Sequence, residues 1–203
     1  VLYFILFSKF KLIKKISDFN YSLKDGFILV MYSISMYLIT NLDKFYIEHL
    51  FSKEVLASYY FLFSLSTSFT FISAYFSVKY EREIYSSLDY ISAKSNANDY
   101  AKKTIFFSIL IFPIIFFLYY FYISFTSLDY KPYWFVMVFI AQLVYFISVK
   151  ETYILTYLKR NKIIFYSSFL ILLLSLVLNY FLLKLIGILG SILTLIFCYT
   201  VFW

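Results

Sequence analysis

Long unbroken apolar runs, rather than alternating ones, organise this chain. A bilayer-spanning helix needs about 20 predominantly apolar residues at about 1.5 Å each. With that ruler, residues 27–47, 55–78, 105–127, 133–158, 163–183 and 185–203 each read as one such helix. Residues 1–8 read as the tail of another. The runs do not alternate with period two, which excludes barrel strands. The expected fold class is an all-α polytopic membrane protein of about seven transmembrane helices, with residues 1–203 forming one helical bundle.

Composition sharpens this picture. Of the 203 residues, 63% are hydrophobic and 14% charged. Soluble domains run at about 45–50% and about 25%. Mean hydropathy is +0.83. Lipid is therefore the expected solvent for most side chains. With three Gly and two Pro, linker, collagen-like and disordered readings drop out. The lone Cys198 and lone His49 cannot build a disulfide framework or a thiol- or His-rich metal site. No GxxxxGKS/T, GxSxG, HExxH or GxGxxG pattern occurs, so no cofactor is expected. The run Val1–Phe7 is not a signal peptide, because no basic stretch precedes it and no small-residue cleavage site follows it. The chain starts at Val1 and ends inside the apolar run Val201-Phe202-Trp203. We read it as a piece of a longer protein, cut at both ends within membrane helices.

Charge then gives an orientation. Alternate connections carry Lys9, Lys11, Lys14, Lys15 and Lys24, then Lys79, Arg82, Lys94, Lys102 and Lys103, then Lys159, Arg160 and Lys162. The opposite side carries only Lys44, Lys53, Lys131 and Lys184. Lys150 lies inside a helix and completes the 18 basic residues. The positive-inside rule places the basic side in the cytoplasm. Tyr130, Tyr133 and Trp134 flank Pro132 where an outer aromatic belt would sit. Pro113 is expected to kink its helix. In the longest cytoplasmic connection, Tyr80, Ile84, Leu88 and Ile91 recur at helical spacing. That segment reads either as lying on the membrane surface or as a short solvated helix.

A charge inside a bilayer costs at least about 2.5–3.5 kcal/mol on insertion scales, so it tends to face a cavity or a partner. Lys150 and Glu151 lie about two turns before the cytoplasmic end of their helix. Sequence neighbours point about 100° apart on a helix. These two are therefore not expected to form one ideal ion pair, and each looks for a partner on another helix. Either they line a polar substrate or ion path, or they snorkel to the interface or pair structurally. Asn41, Asp43 and Lys44 sit at the outer end of the second predicted helix, where charge is tolerated. Asn179 is expected to hydrogen-bond across helices. Gly187 and Gly190, with Ser191, give the last helix a smooth face for close packing. His49 reads as a solvated residue of an outer turn.

Several stretches resemble one family. Asn41-Leu42-Asp43-Lys44-Phe45-Tyr46, followed by Ser52-Lys53-Glu54 and Ala57-Ser58-Tyr59-Tyr60, resembles the start of the second half of polysaccharide flippases. The usual Gly-x-Tyr there is Ala57-Ser58-Tyr59 in this chain. Glu151-Thr152-Tyr153 through Lys159-Arg160-Asn161-Lys162 resembles the family's tenth helix and its basic loop. Leu178-Asn179-Tyr180 and Leu185-Ile186-Gly187-Ile188-Leu189-Gly190-Ser191 resemble its Asn-containing helix and Gly-rich turn. The family is the O-antigen and capsule repeat-unit translocases of the multidrug/oligosaccharidyl-lipid/polysaccharide exporter superfamily. The resemblance implies a twelve-helix transporter, with this chain as its second six-helix bundle plus a stub of helix six. It implies a bacterial inner-membrane protein that flips undecaprenyl-diphosphate-linked oligosaccharide by alternating access, with H+ or Na+ as the coupling ion. With it, Lys44 and Lys150 become candidate anion-facing groups, and Asp43 and Glu151 candidate ion-coupling or pairing groups; Asp43 is mapped by the motif match, Lys150 and Glu151 only by their depth in the helix.

Expected partners are the bilayer, the lipid-linked oligosaccharide, an N-terminal helical bundle and polysaccharide assembly proteins, and not nucleic acid. The outer turns are short, which favours a transporter over an enzyme. A polysaccharide polymerase or another exporter of the superfamily is the alternative. A single bundle does not enclose a two-bundle cavity. The 203-residue piece alone is therefore expected not to translocate substrate, and rescue of a flippase-null strain by it would refute this.

Overall fold

The computed structural model describes residues 16–125 and 131–202. Seven helices follow in order: α1 Ile16–Leu50, α2 Lys53–Ser66, α3 Ser68–Tyr85, α4 Tyr90–Phe125, α5 Pro132–Tyr157, α6 Asn161–Ile186 and α7 Ile188–Phe202. No strand occurs among the described residues. The predicted helix at 1–8, and Tyr130 of the aromatic belt, lie outside them. Five stretches are long and apolar enough to cross a membrane: Gly26–Leu50, Lys53–Tyr85, Tyr90–Phe125, Pro132–Tyr157 and Asn161–Ile186. Ile188–Val201 is a shorter apolar helix.

The burial pattern is that of a lipid-solvated bundle. On α4, Leu110, Ile114, Phe117 and Phe121 recur at spacings of three or four and are all more than half exposed. The opposite face buries Thr104, Ser108, Ile115 and Tyr119. Small hydroxyls point inward and large apolar side chains outward. Water would penalise so broad an exposed apolar surface, whereas lipid does not, and small inward residues let helices approach closely. Several buried hydroxyls elsewhere in the bundle find partners in their own helices. Ser35 donates to the Met31 carbonyl at 3.0 Å, Thr194 to Gly190 at 2.9 Å and Ser168 to Phe165 at 2.8 Å.

Several elements differ from the sequence expectation. The run read as one helix at 55–78 is two helices joined at Thr67, whose φ of −62° and ψ of −19° keep the chain near helical geometry. Its hydroxyl donates to the Ser64 carbonyl at 2.6 Å. Pro113 sits inside α4 without ending it. Helices α1 and α4 have 35 and 36 residues, about 53 Å each against a hydrocarbon core of about 30 Å.

The amphipathic segment is neither a surface helix nor an isolated solvated one. Tyr80 and Ile84 belong to α3 and are buried, whereas Leu88 and Ile91 are exposed. Tyr80 and Ile84 pack with Ala93, Ala97, Tyr100 and Ile154 into a core of their own. The helical spacing of the four residues was real, but a turn at residues 86–89 interrupts it. Asp89 accepts from the Ser92 N–H at 2.7 Å and from its hydroxyl at 3.1 Å. These donors cap the start of α4 and hold the Asp89 carboxyl below the ordinary carboxylate range.

The two glycines after α6 play different parts. Gly187 is a turn residue with φ 65° and ψ −148°, a region open essentially to Gly alone. A Cβ built there would meet no atom within 4 Å, so it is the backbone conformation, and not the close packing expected for it, that calls for Gly. Gly190 is the close-packing residue: a Cβ there would lie 2.2 Å from the Leu182 carbonyl oxygen. Backbone cannot yield as a flexible side chain can. Gly190→Ala is therefore expected to destabilise the protein by about 1–3 kcal/mol, read as a lowered unfolding midpoint in detergent. An unchanged midpoint would show that α6 and α7 are not held this closely.

Candidate functional site

Asp43 is the polar residue the fold treats most strictly. It lies on α1 about two turns before Leu50 and is completely buried. The sequence expectation of a charge tolerated at a solvated helix end fails here, because α1 continues past it and α2 and α7 close over it. The Tyr59 hydroxyl of α2 donates to Asp43 Oδ2. The Ser191 hydroxyl of α7 donates to the same oxygen at 3.2 Å. The Lys44 N–H donates to Oδ1 at 2.8 Å. The Tyr59 and Ser191 hydroxyls are themselves 2.9 Å apart. One carboxyl thus joins three helices.

Lys44 turns the other way. One residue on, a helix has rotated about 100°, which carries the side chain out of the packed core and onto a cleft. Its Nζ donates to Asn41 Oδ1 at 2.6 Å and to the Thr40 carbonyl at 3.4 Å. It also lies 5.4 Å from the Phe63 ring centroid and 5.5 Å from that of Tyr60, within cation–π range. The cleft measures about 310 Å³. Its polar wall is Thr40, Asn41, Lys44, Thr67 and Gln142, and its aromatic wall includes Tyr60, Tyr145 and Tyr199. Helices α1, α2, α3, α5 and α7 all contribute to it. Lys44 supplies the positive charge.

Lys150 and Glu151 stand apart from this cleft. The expectation of separate partners on other helices is corrected: their side chains reach each other, with Nζ to Oε1 at 2.8 Å. Long flexible side chains bridge the angle that their Cα positions leave open. Their side chains are 16% and 31% exposed, so the pair is shielded without being sealed. Asn179 is also corrected. It is fully buried, but its amide donates to Ser175 of its own helix at 3.1 Å, not to a neighbouring helix. His49 is exposed in the last turn of α1, and Cys198 is buried in the mid-bundle core. Among the described residues no group of three or more His, Cys, Asp or Glu could hold a metal ion.

Tyr59, Gln142 and Tyr199 were not singled out from the sequence. A signal for Tyr59 existed. Asp43 lies seven residues before α1 ends at Leu50, and Tyr59 six after α2 begins at Lys53. Two antiparallel helices around so short a connection bring such positions level.

Together these features define a multi-pass helical membrane protein with a polar, singly cationic cleft beside a buried carboxyl. No family model, no curated protein and no solved structure matches the chain.

Tyr59→Phe deletes a donor to a buried carboxyl and is expected to cost about 1.5–3 kcal/mol. Asp43→Asn combined with Tyr59→Phe should cost less than the two single changes added together, because both act on one contact. Unfolding midpoints of the three variants in detergent test this, and strict additivity would show that the contact does not form.

Proposed function

We propose that this protein translocates undecaprenyl-diphosphate-linked oligosaccharide repeat units across the bacterial inner membrane for surface polysaccharide synthesis. On this reading the described helices belong to the second six-helix bundle of a twelve-helix transporter. The first bundle faces the cleft, and polysaccharide assembly proteins take up the product. The observation that carries the proposal is the Lys44 cleft. It is a hollow among the helices with a single ammonium, flanked by amide, hydroxyl and aromatic groups.

That chemistry suits a diphosphate joined to a sugar. The ammonium meets the phosphate charge at low local dielectric, where a charge-assisted hydrogen bond is stronger than in water. Asn41, Gln142 and the threonine hydroxyls suit sugar hydroxyls, and the tyrosine rings suit the apolar faces of pyranoses. None of these groups is a nucleophile paired with a base, so the cleft is organised for binding and not for bond-breaking. Asp43, next in sequence to Lys44 but packed among α2 and α7, is placed to couple occupancy of the cleft to helix packing. A coupling ion, H+ or Na+, would act through such a carboxyl.

Deleting the gene should trap complete, single lipid-linked repeat units on the cytoplasmic leaflet. Restoring it with Lys44→Gln should leave transport down at least about tenfold, the worth of one charge-assisted contact, at unchanged protein level. Lipid-linked units that reach the periplasm but are not joined into chains would identify a polymerase instead and overturn the proposal.

A further inference from the structure

A second hollow, of about 380 Å³, opens on the flank of α3 and α4 and is lined by Tyr75, Phe76, Val78, Lys79, Tyr80 and Lys103. Its position relative to the charges is informative. On α3 no charged residue precedes Lys79. On α4 none follows Lys103 through Phe125. Each lysine is therefore the first charge met on leaving an apolar run toward the cytoplasmic side, the depth at which lysines snorkel to the headgroup layer. The fold brings the two together. Both ammonium groups lie 5.3 Å from the centroid of one ring, that of Tyr80.

Beneath them the hollow is apolar and open. Tyr75 is 75% exposed and Val78 81%, while Phe76 packs on Phe107 with ring centroids 5.3 Å apart. The neighbouring carboxylates lie farther from the membrane. Glu83 is one turn beyond Lys79, 3.8 Å from its Nζ in a solvent-exposed pair, and Asp99 is one turn nearer the cytoplasm than Lys103. Pairs of that kind contribute little and exchange easily.

We propose that this groove binds the phosphate headgroup of an anionic phospholipid of the cytoplasmic leaflet. Lys79 and Lys103 hold the phosphate, and the acyl chains lie along Tyr75 and Val78. The apolar floor selects a lipid over a free phosphate, because it rewards only a ligand with chains. Basic pockets between membrane helices on the cytoplasmic side bind anionic headgroups on the same principle. The inference rests on the membrane orientation and stands whether or not the protein is a translocase.

The test is native mass spectrometry of the protein in detergent, titrated with phosphatidylglycerol, with phosphatidylcholine of the same chains, and with glycerol phosphate. Phosphatidylglycerol is expected to bind more tightly than either of the others, a preference read without any variant. Each lysine near an anionic lipid is worth about fivefold in binding, so Lys79→Gln with Lys103→Gln should weaken phosphatidylglycerol about thirtyfold. Phosphatidylcholine binding should not change. Lys94→Gln, which removes a lysine held over Tyr90 farther toward the cytoplasm, should leave both lipids unaffected. Equal binding of the two lipids by the wild type would overturn the proposal. So would a double variant that keeps its preference, a loss with Lys94→Gln as large as that of the double variant, or glycerol phosphate binding as tightly as the lipid.

Discussion

A bilayer offers hydrogen bonds to nothing, and the rest of this structure depends on that fact. Every backbone group must be satisfied within the protein, and long helices do this, five of the described stretches being long and apolar enough to cross a membrane. The same rule reaches the side chains. Serines and threonines within the spans donate to carbonyls three or four residues back, as Ser33, Thr40, Ser148 and Thr152 do. A hydroxyl satisfied by its own helix is small and nearly apolar toward its neighbours. It can then line a helix interface, and the faces where α1, α6 and α7 meet carry Ser35, Ser168, Ser175, Gly190, Ser191 and Thr194.

Against that background a carboxyl is the hardest group to place. Asp43 cannot be satisfied by its own helix alone, because the carbonyls there are acceptors, as its oxygens are. Only the Lys44 N–H is local, and the other donors come from Tyr59 on α2 and Ser191 on α7. A hydrogen bond to a charged group is worth about 1.5–3 kcal/mol, and those of Asp43 tie the relative positions of three helices together. On the proposed translocase reading, a group on which three helices depend is one through which a change of charge would move all three.

Fold class, helix order and the alternation of basic connections were legible in the sequence because each rests on a sum over many residues. The apolar runs of α5 and α6 are long enough that no single side chain decides them. What was not legible depends on single residues and on length. The sequence reading placed the end of the helix at residue 47, so Asp43 looked terminal. The helix runs to Leu50, and those few residues turn an interfacial charge into a buried one. Lys150 and Glu151 were expected to part because their Cα vectors diverge, an argument that ignores how far a lysine reaches. Asn179 found a local partner in Ser175, a choice that periodicity cannot reveal. The hairpin of α3 and α4 hid behind a pattern that continued, by coincidence of spacing, across a turn.

The composition bears on how the cations are held. Lysine and arginine number 18 against 11 aspartate and glutamate, and 26% of residues are aromatic. There are too few carboxylates to pair every ammonium. Rings add to the pairs available: Lys44, Lys79, Lys94, Lys103 and Lys184 each lie over an aromatic face, and of these Lys79 also has the exposed Glu83 at 3.8 Å. A ring stabilises an ammonium without cancelling its charge, so such a lysine keeps its attraction for an incoming anion. Lys150 is the contrast, since Glu151 at 2.8 Å neutralises it. By this argument, the cations able to meet a phosphate are those the fold has set on aromatic rings. Lys44 occupies that position in its cleft, and Lys79 and Lys103 in the groove on the flank of α3 and α4.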